Sequence, residues 1–420
     1  MKLSEIIEEY ISGDWGNEVN CDDTPNEVFC VRGADFVPIL SVDYTKIPTR
    51  YISDNSIKNK QLKVGDIIIE KSGGSPTQST GRVVLVTEDL IKEKQHIVCS
   101  NFCEAFRVKK EWNPFYVFTY LQFLYNEGVF FNFEGKTSGL KNLQMEQAFN
   151  SIDIPEQKSD ISLLTSIDKK IALNRKINIQ IEALAKEIYD YWFIQFDFPN
   201  EKNKPYKSSG GMMVWNKKLN REIPEGWGDE LIDKLCLINN ETIGRDDKIN
   251  TIKYLDTSNI CENQIIDFQY YKKAEAPSRA QRKVKNRTIL YSTVRPSLKH
   301  FGILHNPKPN LIVSTGFATI DVVNPYDCYR LYEFITSKYI NAYLNKLAET
   351  SVSAYPSISP SDIGNLSVTV PPKNIIREFH NMMEPLFKKI DKNSKEIRDF
   401  ISLRNYLLPL LINGQIKIND

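Results

Sequence analysis

The run Asn113-Pro114-Phe115-Tyr116 places an amide, a proline and an aromatic ring in the order suited to gripping a base lifted from a duplex for methylation. That chemistry calls for Asp/Asn-Pro-Pro-aromatic, and the second proline is missing. Ahead of the apolar run YVFTYLQFLY (116–125), an Asn-Pro pair is instead a helix start. The glycine-rich stretch KSGGSPTQSTGR (71–82) lacks the Gly-Lys-Ser/Thr ending of a nucleotide-binding loop. Seven cysteines form no framework, Cys99 and Cys103 being the closest pair, and His96, His300, His305 and His380 have no metal-ligand spacing. The expectation is a chain with no catalytic residues and no metal site, its cysteines reduced and buried.

The residue types fit recognition of a polyanion better. Cations hold phosphates, and forked polar side chains read base edges. Residues 272–287 carry Lys272, Lys273, Arg279, Arg282, Lys283, Lys285 and Arg287 against one acid, Glu275. Arg295, Lys299 and His300 follow in a turn, with Arg295 placed to read a guanine by its two-pronged guanidinium. An earlier loop offers Ser72, Gly73, Gly74, Ser75, Gln78 and Arg82: glycines for close backbone approach, Gln78 for an adenine edge, Arg82 for a guanine. A further loop, EGKTSGLKN (134–142), contributes Lys136, Ser138, Lys141 and Asn142. Its counterpart ETSVSAYPS (349–357) has Ser353 and Tyr355 in place of the lysines.

These loops need a scaffold. The chain has 420 residues, 41% apolar and 25% charged, with a net charge of only +1, so any basic surface must be local. Its first residues are acidic (Glu5, Glu8, Glu9, Asp14), unlike a signal peptide, and no apolar run reaches the ~20 residues of a membrane span. A cytoplasmic protein is expected.

The chain also repeats itself. Leu164, Ile167, Ile171, Asn174, Asn178, Ile181, Ala185, Ile188 and Trp192 recur at spacings of three and four, and Met383, Leu386, Ile390, Asn393, Ile397, Phe400, Arg404, Leu407 and Leu411 repeat the stripe without a gap. That spacing is a coiled-coil seam, for which Ile171, Asn174, Ile181, Ile188, Ile390, Asn393, Phe400 and Leu407 are the expected contact positions. Asn174 and Asn393 hold the same place in the two copies, which favours antiparallel pairing of the helices through their amides. Pro385 is expected to split the second helix and Pro409 to end it. Upstream, VGDIIIE (64–70) answers RTILYS (287–292), and SNFCEAFRV (100–108) answers STGFATIDV (314–322).

The expected fold is α+β: two mixed α/β recognition domains, at 1–155 and 223–371, separated by two long helices in an antiparallel coiled coil with pseudo-twofold repetition. Residues 156–198 and 372–420 form the helical regions, and the polar stretch 199–222 is a connector. Residues 188–198 (IYDYWFIQFDF) are too apolar to be free, so they should dock where the first helix ends. A helix of about 32 residues spans roughly 48 Å, on the order of 14 base pairs of duplex.

The order of KKIALN (169–174), YWFIQFDFP (191–199), KPYKSSGGMMVWN (204–216), REIPEGW (221–227) and LRNYLLPLLINGQI (403–416), with ILYSTVRPSLKHFGI (289–303) in the second domain, resembles the specificity subunits of type I restriction–modification systems over essentially the whole chain. The resemblance implies a non-catalytic subunit. Its two target-recognition domains would each read one half of a split site in double-stranded DNA, with the helices as a ruler. Two modification (methyltransferase) subunits and two restriction (motor–nuclease) subunits would be its partners. S-adenosylmethionine, ATP and Mg would be held by those partners and not by this chain. A specificity subunit of a related system, with modification and cleavage on one polypeptide, is the alternative.

Overall fold

The computed structural model describes residues 1–74, 78–136, 141–156, 162–244, 246–350 and 355–412. It divides into two compact units, Met1–Lys176 with Asp399–Asp420, and Ile177–Arg398.

In unit 1 the β-branched run of strand β4 (Ile67–Glu70) is buried along its whole length, as a strand covered on both faces must be. It lies between β8 (Cys103–Val108) and β6 (Val83–Leu85), and β1 (Ile7–Ser12) completes an antiparallel sheet ordered β1-β8-β4-β6. A second sheet, β3-β2-β7, joins β3 (Thr49–Ile52), β2 (Asn26–Val31) and β7 (Ile97–Cys99), with β2 and β7 parallel. A short ribbon joins β5 (Ser72–Gly73), β10 (Lys141–Leu143) and β9 (Glu134–Lys136). Helix α1 (Pro114–Asn126) covers the first sheet. The Asn113 side chain accepts from the Phe115 amide at 2.9 Å with proline in the first turn, so the Asn-Pro-aromatic run is a helix cap. Helix α2 (Met145–Ser151) follows the ribbon.

Unit 2 repeats this plan. After the hairpin of β11 (Met213–Asn216) and β12 (Arg221–Pro224), strand β13 (Gly228–Leu231) pairs with the distant β24 (Ser367–Val370). Strands β14 (Cys236–Ile238), β23 (Phe317–Val322), β20 (Ile289–Ser292) and β21 (Phe301–Ile303) form an antiparallel sheet in the order β14-β23-β20-β21. The second sheet is β18-β15-β22-β19, from β15 (Thr251–Leu255), β18 (Gln269–Lys272), β19 (Ala280–Lys283) and β22 (Leu311–Ser314); β15 and β22 are parallel, as β2 and β7 are. A small hairpin, β16 (Ile260–Cys261) with β17 (Gln264–Ile265), is an addition. The segments matched by sequence occupy equivalent strands: VGDIIIE enters β4 and RTILYS enters β20, SNFCEAFRV gives β8 and STGFATIDV gives β23. Helices α4 (Cys328–Thr336), α5 (Lys338–Glu349) and α6 (Pro360–Gly364) complete the unit.

Helices α3 (Ser162–Tyr189) and α7 (Lys373–Ile412) carry the two stripes. Leu164, Ile167, Ile171, Asn174, Asn178 and Ala185 are buried, as are Met383, Ile390, Asn393 and Leu411. Ile181 and Ile188 are half-buried against the core of unit 2, Leu407 is half-buried beside the buried Leu408, and Phe400 is also half-buried. In unit 2 the pairing runs from Asn178 with Asn393 to Trp192 with Phe379, so the helices are antiparallel. In unit 1 Arg404 reaches Asp168 at 2.9 Å.

Two details differ from expectation. The Asn393 amide donates to Asn178 at 2.8 Å, the next position of the stripe after Asn174, and Asn178 donates to Ser394 at 3.2 Å. Secondly, α7 runs unbroken through both Pro385 and Pro409. Pro385 is on the exposed side of the helix, where the carbonyl that proline leaves free is open to solvent, while Met383 and Phe387 beside it are buried.

The aromatic segment at the end of α3 docks as expected. Trp192, Phe193, Phe196 and Phe198 are buried with Trp227, Phe379 and Phe387, Phe193 meeting Phe379 edge-on at 4.8 Å and Phe198 stacking on Trp227 at 5.0 Å. Among the described residues no helix is long and apolar enough to cross a membrane.

Candidate nucleic-acid interface

In each unit the turn after the central strand meets the segment that leads into a short helix. In unit 1 the chain leaves β4, and Gly73 pairs with Lys141 and Ser72 with Asn142, so the two glycine-containing loops become one ribbon. The Ser72 hydroxyl donates to the Asn142 side chain. Gly74 has φ +73°, and a Cβ there would stand 2.9 Å from the Gln78 carbonyl, so the tight turn requires glycine. In unit 2 the chain leaves β20; Val294 bridges to Ser357, and the Arg295 amide donates to the Pro356 carbonyl at 2.8 Å. Loops far apart in sequence are thus brought together in both units.

The expected readers divide into engaged and available groups. Arg82 is engaged: its Nε and Nη2 clamp the buried Glu70 carboxylate at 2.8 and 2.5 Å. Those hydrogen bonds hold its pKa above the usual arginine value. Arg82 is therefore a strut under the ribbon rather than a free guanine reader, because a bidentate pair leaves its fork committed. Lys141 pairs with Glu134 at 2.8 Å and lies 5.0 Å above the Phe131 ring, while the other Glu134 oxygen accepts from the Thr80 amide. Gln78 is exposed. Lys136 stands in β9; Ser75, Ser138 and Ser353 lie outside the described residues.

The basic run 272–287 is mostly committed as well. Lys283 pairs with Asp247 at 2.5 Å, Lys285 with Asp321, Arg287 with Glu384, and Lys272 with Glu275, while Lys273 donates to the Gly244 and Asp247 carbonyls. Arg279 is exposed and Arg282 half-buried, and neither has a carboxylate within ion-pair distance among the described residues. The Arg282 Nε is buried without a hydrogen-bond partner among them.

Arg295 has the most telling geometry. It adopts a left-handed backbone (φ 50°, ψ 66°), as does Lys299 (φ 54°, ψ 39°), at the two ends of the Pro296–Leu298 turn. Such conformations cost about 1 kcal/mol or more for residues with side chains and concentrate at functional loops. Arg295 is exposed, with its guanidinium 4.7 Å from the ring of Tyr355, itself 58% exposed. Stacking on Tyr355 orients the fork while leaving its donors to solvent. Lys299 contacts Glu262. His300 is half-buried; burial pushes its pKa below the usual value, with Asp256 opposing.

Sequence reasoning missed the acids that fix these cations, above all Glu70 and Glu134. A signal existed: a carboxylate closing the fully apolar run Ile67-Ile68-Ile69 must be buried, and a buried carboxylate needs a cation. It missed, too, the exposed stripe Tyr339, Tyr343 and Lys346 on α5, which packs against the Pro296–Leu298 turn.

Residues 18–183 match the family model described as type I restriction modification DNA specificity domain. The chain is 25% identical over 275 residues to the MjaIX type I restriction enzyme specificity subunit of Methanocaldococcus jannaschii, covering 63% of this chain and 60% of that protein. It is 24% identical over 148 residues to the HindI specificity subunit of Haemophilus influenzae, covering 34% and 32%. The match thus spans less than two thirds of either relative. Among solved structures, the S subunit of a type I restriction–modification system from M. genitalium shares the fold, with a TM-score of 0.53 at 14% identity over 98% of this chain and 95% of that one.

Proposed function

We propose that this chain, which belongs to the type I restriction–modification specificity subunits, reads a split DNA site, one half by the ribbon of unit 1 and the other by the Arg295–Tyr355 loop of unit 2. The observation that carries the reading is the duplicated plan: one scaffold, with equivalent loops of different chemistry. Unit 1 offers glycines, Gln78, Lys141 and Asn142; unit 2 offers Arg295 stacked on Tyr355, with Arg279 exposed. A shared frame with divergent loops suits two different half-sites.

In this reading the chain supplies recognition and no catalysis. Two modification subunits bind along the helical regions, two restriction subunits complete the complex, and those partners hold S-adenosylmethionine, ATP and Mg. Domains 1–155 and 223–371 contain the reading loops, and α3 with α7 sets the length of DNA left unread between the half-sites.

Mapping the methylated adenines of a host genome that carries the chain with its modification partner tests this. The expected motif is bipartite with an unread gap. Replacing Arg295 by alanine should relax one half only, weakening binding to the native site by about 1–3 kcal/mol, or roughly 5- to 150-fold. A contiguous motif, or relaxation of both halves together, contradicts the proposal. Lengthening α3 and α7 together by one heptad should widen the gap; an unchanged gap would remove the helices from that role.

A further inference from the structure

Unit 2 gathers a second group of cations that the run 272–287 does not include. The Lys253 ammonium, on β15, lies 3.7 Å from the centre of the Phe268 ring and 6.0 Å from that of Tyr270. The Arg398 guanidinium, from α7, lies 5.6 Å from the same Phe268 ring. Lys308 and Lys395 are near enough that both, with Arg398, push the Lys253 pKa below the usual lysine value; burial is the largest cause, and Asp267 opposes. Lys395 is paired with Asp391 at 2.7 Å, so the neighbourhood holds acids as well as cations. Tyr270 is 65% and Ile266 57% exposed, and Lys308 is exposed on the Pro307-Lys308-Pro309 turn.

Folding brings like charges together here at an electrostatic cost. An aromatic ring shared by two cations offsets part of that cost, and an anionic ligand would offset more. The group stands apart from the reading loop. The Thr293 amide donates to the Gly316 carbonyl, so the loop after β20 lies at the Ser314 end of the second sheet. Lys253, whose amide donates to the Asn310 carbonyl, belongs to the opposite end, beside the middle of α7.

We infer that Lys253 and Arg398, which share the Phe268 ring, together with Lys308 and Lys395, form a second DNA site that holds backbone phosphates irrespective of sequence. The inference rests on the reading of the chain as DNA-binding. Lysine point charges on flexible stems, beside the half-buried Phe268 and the exposed Tyr270, suit phosphates rather than base edges. Contact with the backbone away from the half-sites would give affinity to a stretch that carries no sequence information.

The test is the salt dependence of binding to a duplex of unrelated sequence, roughly three helical turns long. The full chain is compared with the Lys253→Gln/Lys308→Gln/Lys395→Gln variant and with the three Lys→Arg replacements. Each lost phosphate contact lowers the slope of log affinity against log salt by about 1. The Gln variant should lose about 2 to 3 in slope, the Arg variant should retain the slope, and sequence preference should be unchanged in both. Lys308→Gln alone sits on an exposed turn and should lose about 1, which keeps the test usable if the triple variant folds poorly. An unchanged slope, with Arg295→Ala still relaxing one half-site, overturns this inference and leaves the reading of function intact. An unchanged slope with loss of a co-purifying protein assigns the patch to protein docking and overturns it too. No affinity of the full chain for any duplex defeats both.

Discussion

Replacing Arg330 by methionine should destabilise unit 2 by about 3–5 kcal/mol, a large part of the 5–15 kcal/mol that holds a typical domain together. Arg330 is 0% exposed. Its Nε and Nη2 donate to the two Asp327 oxygens, each at 2.6 Å, and its Nη1 donates to the Thr369 carbonyl at 2.7 Å. Methionine fills much of the volume but leaves a buried carboxylate and a buried carbonyl unpaired. The stranded charge is the costly part. The pair ties the start of α4 to β24, the strand that leads into α7, so its loss should also weaken reading of one half-site at physiological temperature. Denaturant unfolding, with hydrogen exchange of residues 328–336, measures the effect. Adding Asp327→Asn to the methionine variant should recover part of the loss, since it removes the unpaired charge. Wild-type stability in the single variant would show that Arg330 is not the tie described.

Local rules carried the sequence reading furthest where structure is local. The stripe from Leu164 to Trp192 is a matter of spacing, and its positions are buried or half-buried in α3 and the turn that follows it. Asn113 as a helix cap depends on two adjacent residues, and that is how it folds. The plan of the second sheet was less legible, because β15 and β22 pair in parallel across more than fifty residues and nothing near either strand announces the other.

The candidate site was legible as residues but not as partnerships. Gly73 and Lys141 both stand out in the sequence, yet as members of separate loops, since their pairing is a product of the fold. Arg82 stands out for its fork, and the fork is real, but Glu70 occupies it. Of two arginines in comparable turns, the one beside a buried carboxylate became structural, and Arg295, beside an exposed tyrosine, kept its donors outward. Pro385 is a related case: spacing alone suggests a break, but the cost of proline in a helix depends on the exposed side of α7 on which it falls.

Replacing Glu333 by glutamine should stabilise unit 2 at alkaline pH, by an amount that fades as pH falls toward 4.5. Glu333 is 7% exposed on α4. Burial pushes its pKa up to about 8, with Lys186 opposing and Asp190 adding to the rise; Glu182 on α3 is also pushed up to about 8, by burial and by Glu333. An unfolded glutamate titrates near 4.5. Between those values the folded side chain keeps its proton while the unfolded one releases it, so unfolding is favoured by about 1.4 kcal/mol for each pH unit. The stabilising contribution is therefore fully present below about 4.5 and is lost as pH rises to about 8. Glutamine keeps the shape of the protonated acid and cannot ionise. At pH near 8 the variant should exceed the wild type by on the order of 4 kcal/mol, and the gap should close as pH falls toward 4.5. Thermal unfolding at several pH values reads this directly. A gap that is absent at pH 8 would mean that Glu333 ionises freely in the folded protein, and one that persists unchanged below pH 4.5 would mean that its titration is not the source. Since α4 and α3 both belong to the core that supports the Arg295 loop, the same substitution should leave the sequence preference of the chain unaltered while extending the pH range over which it binds.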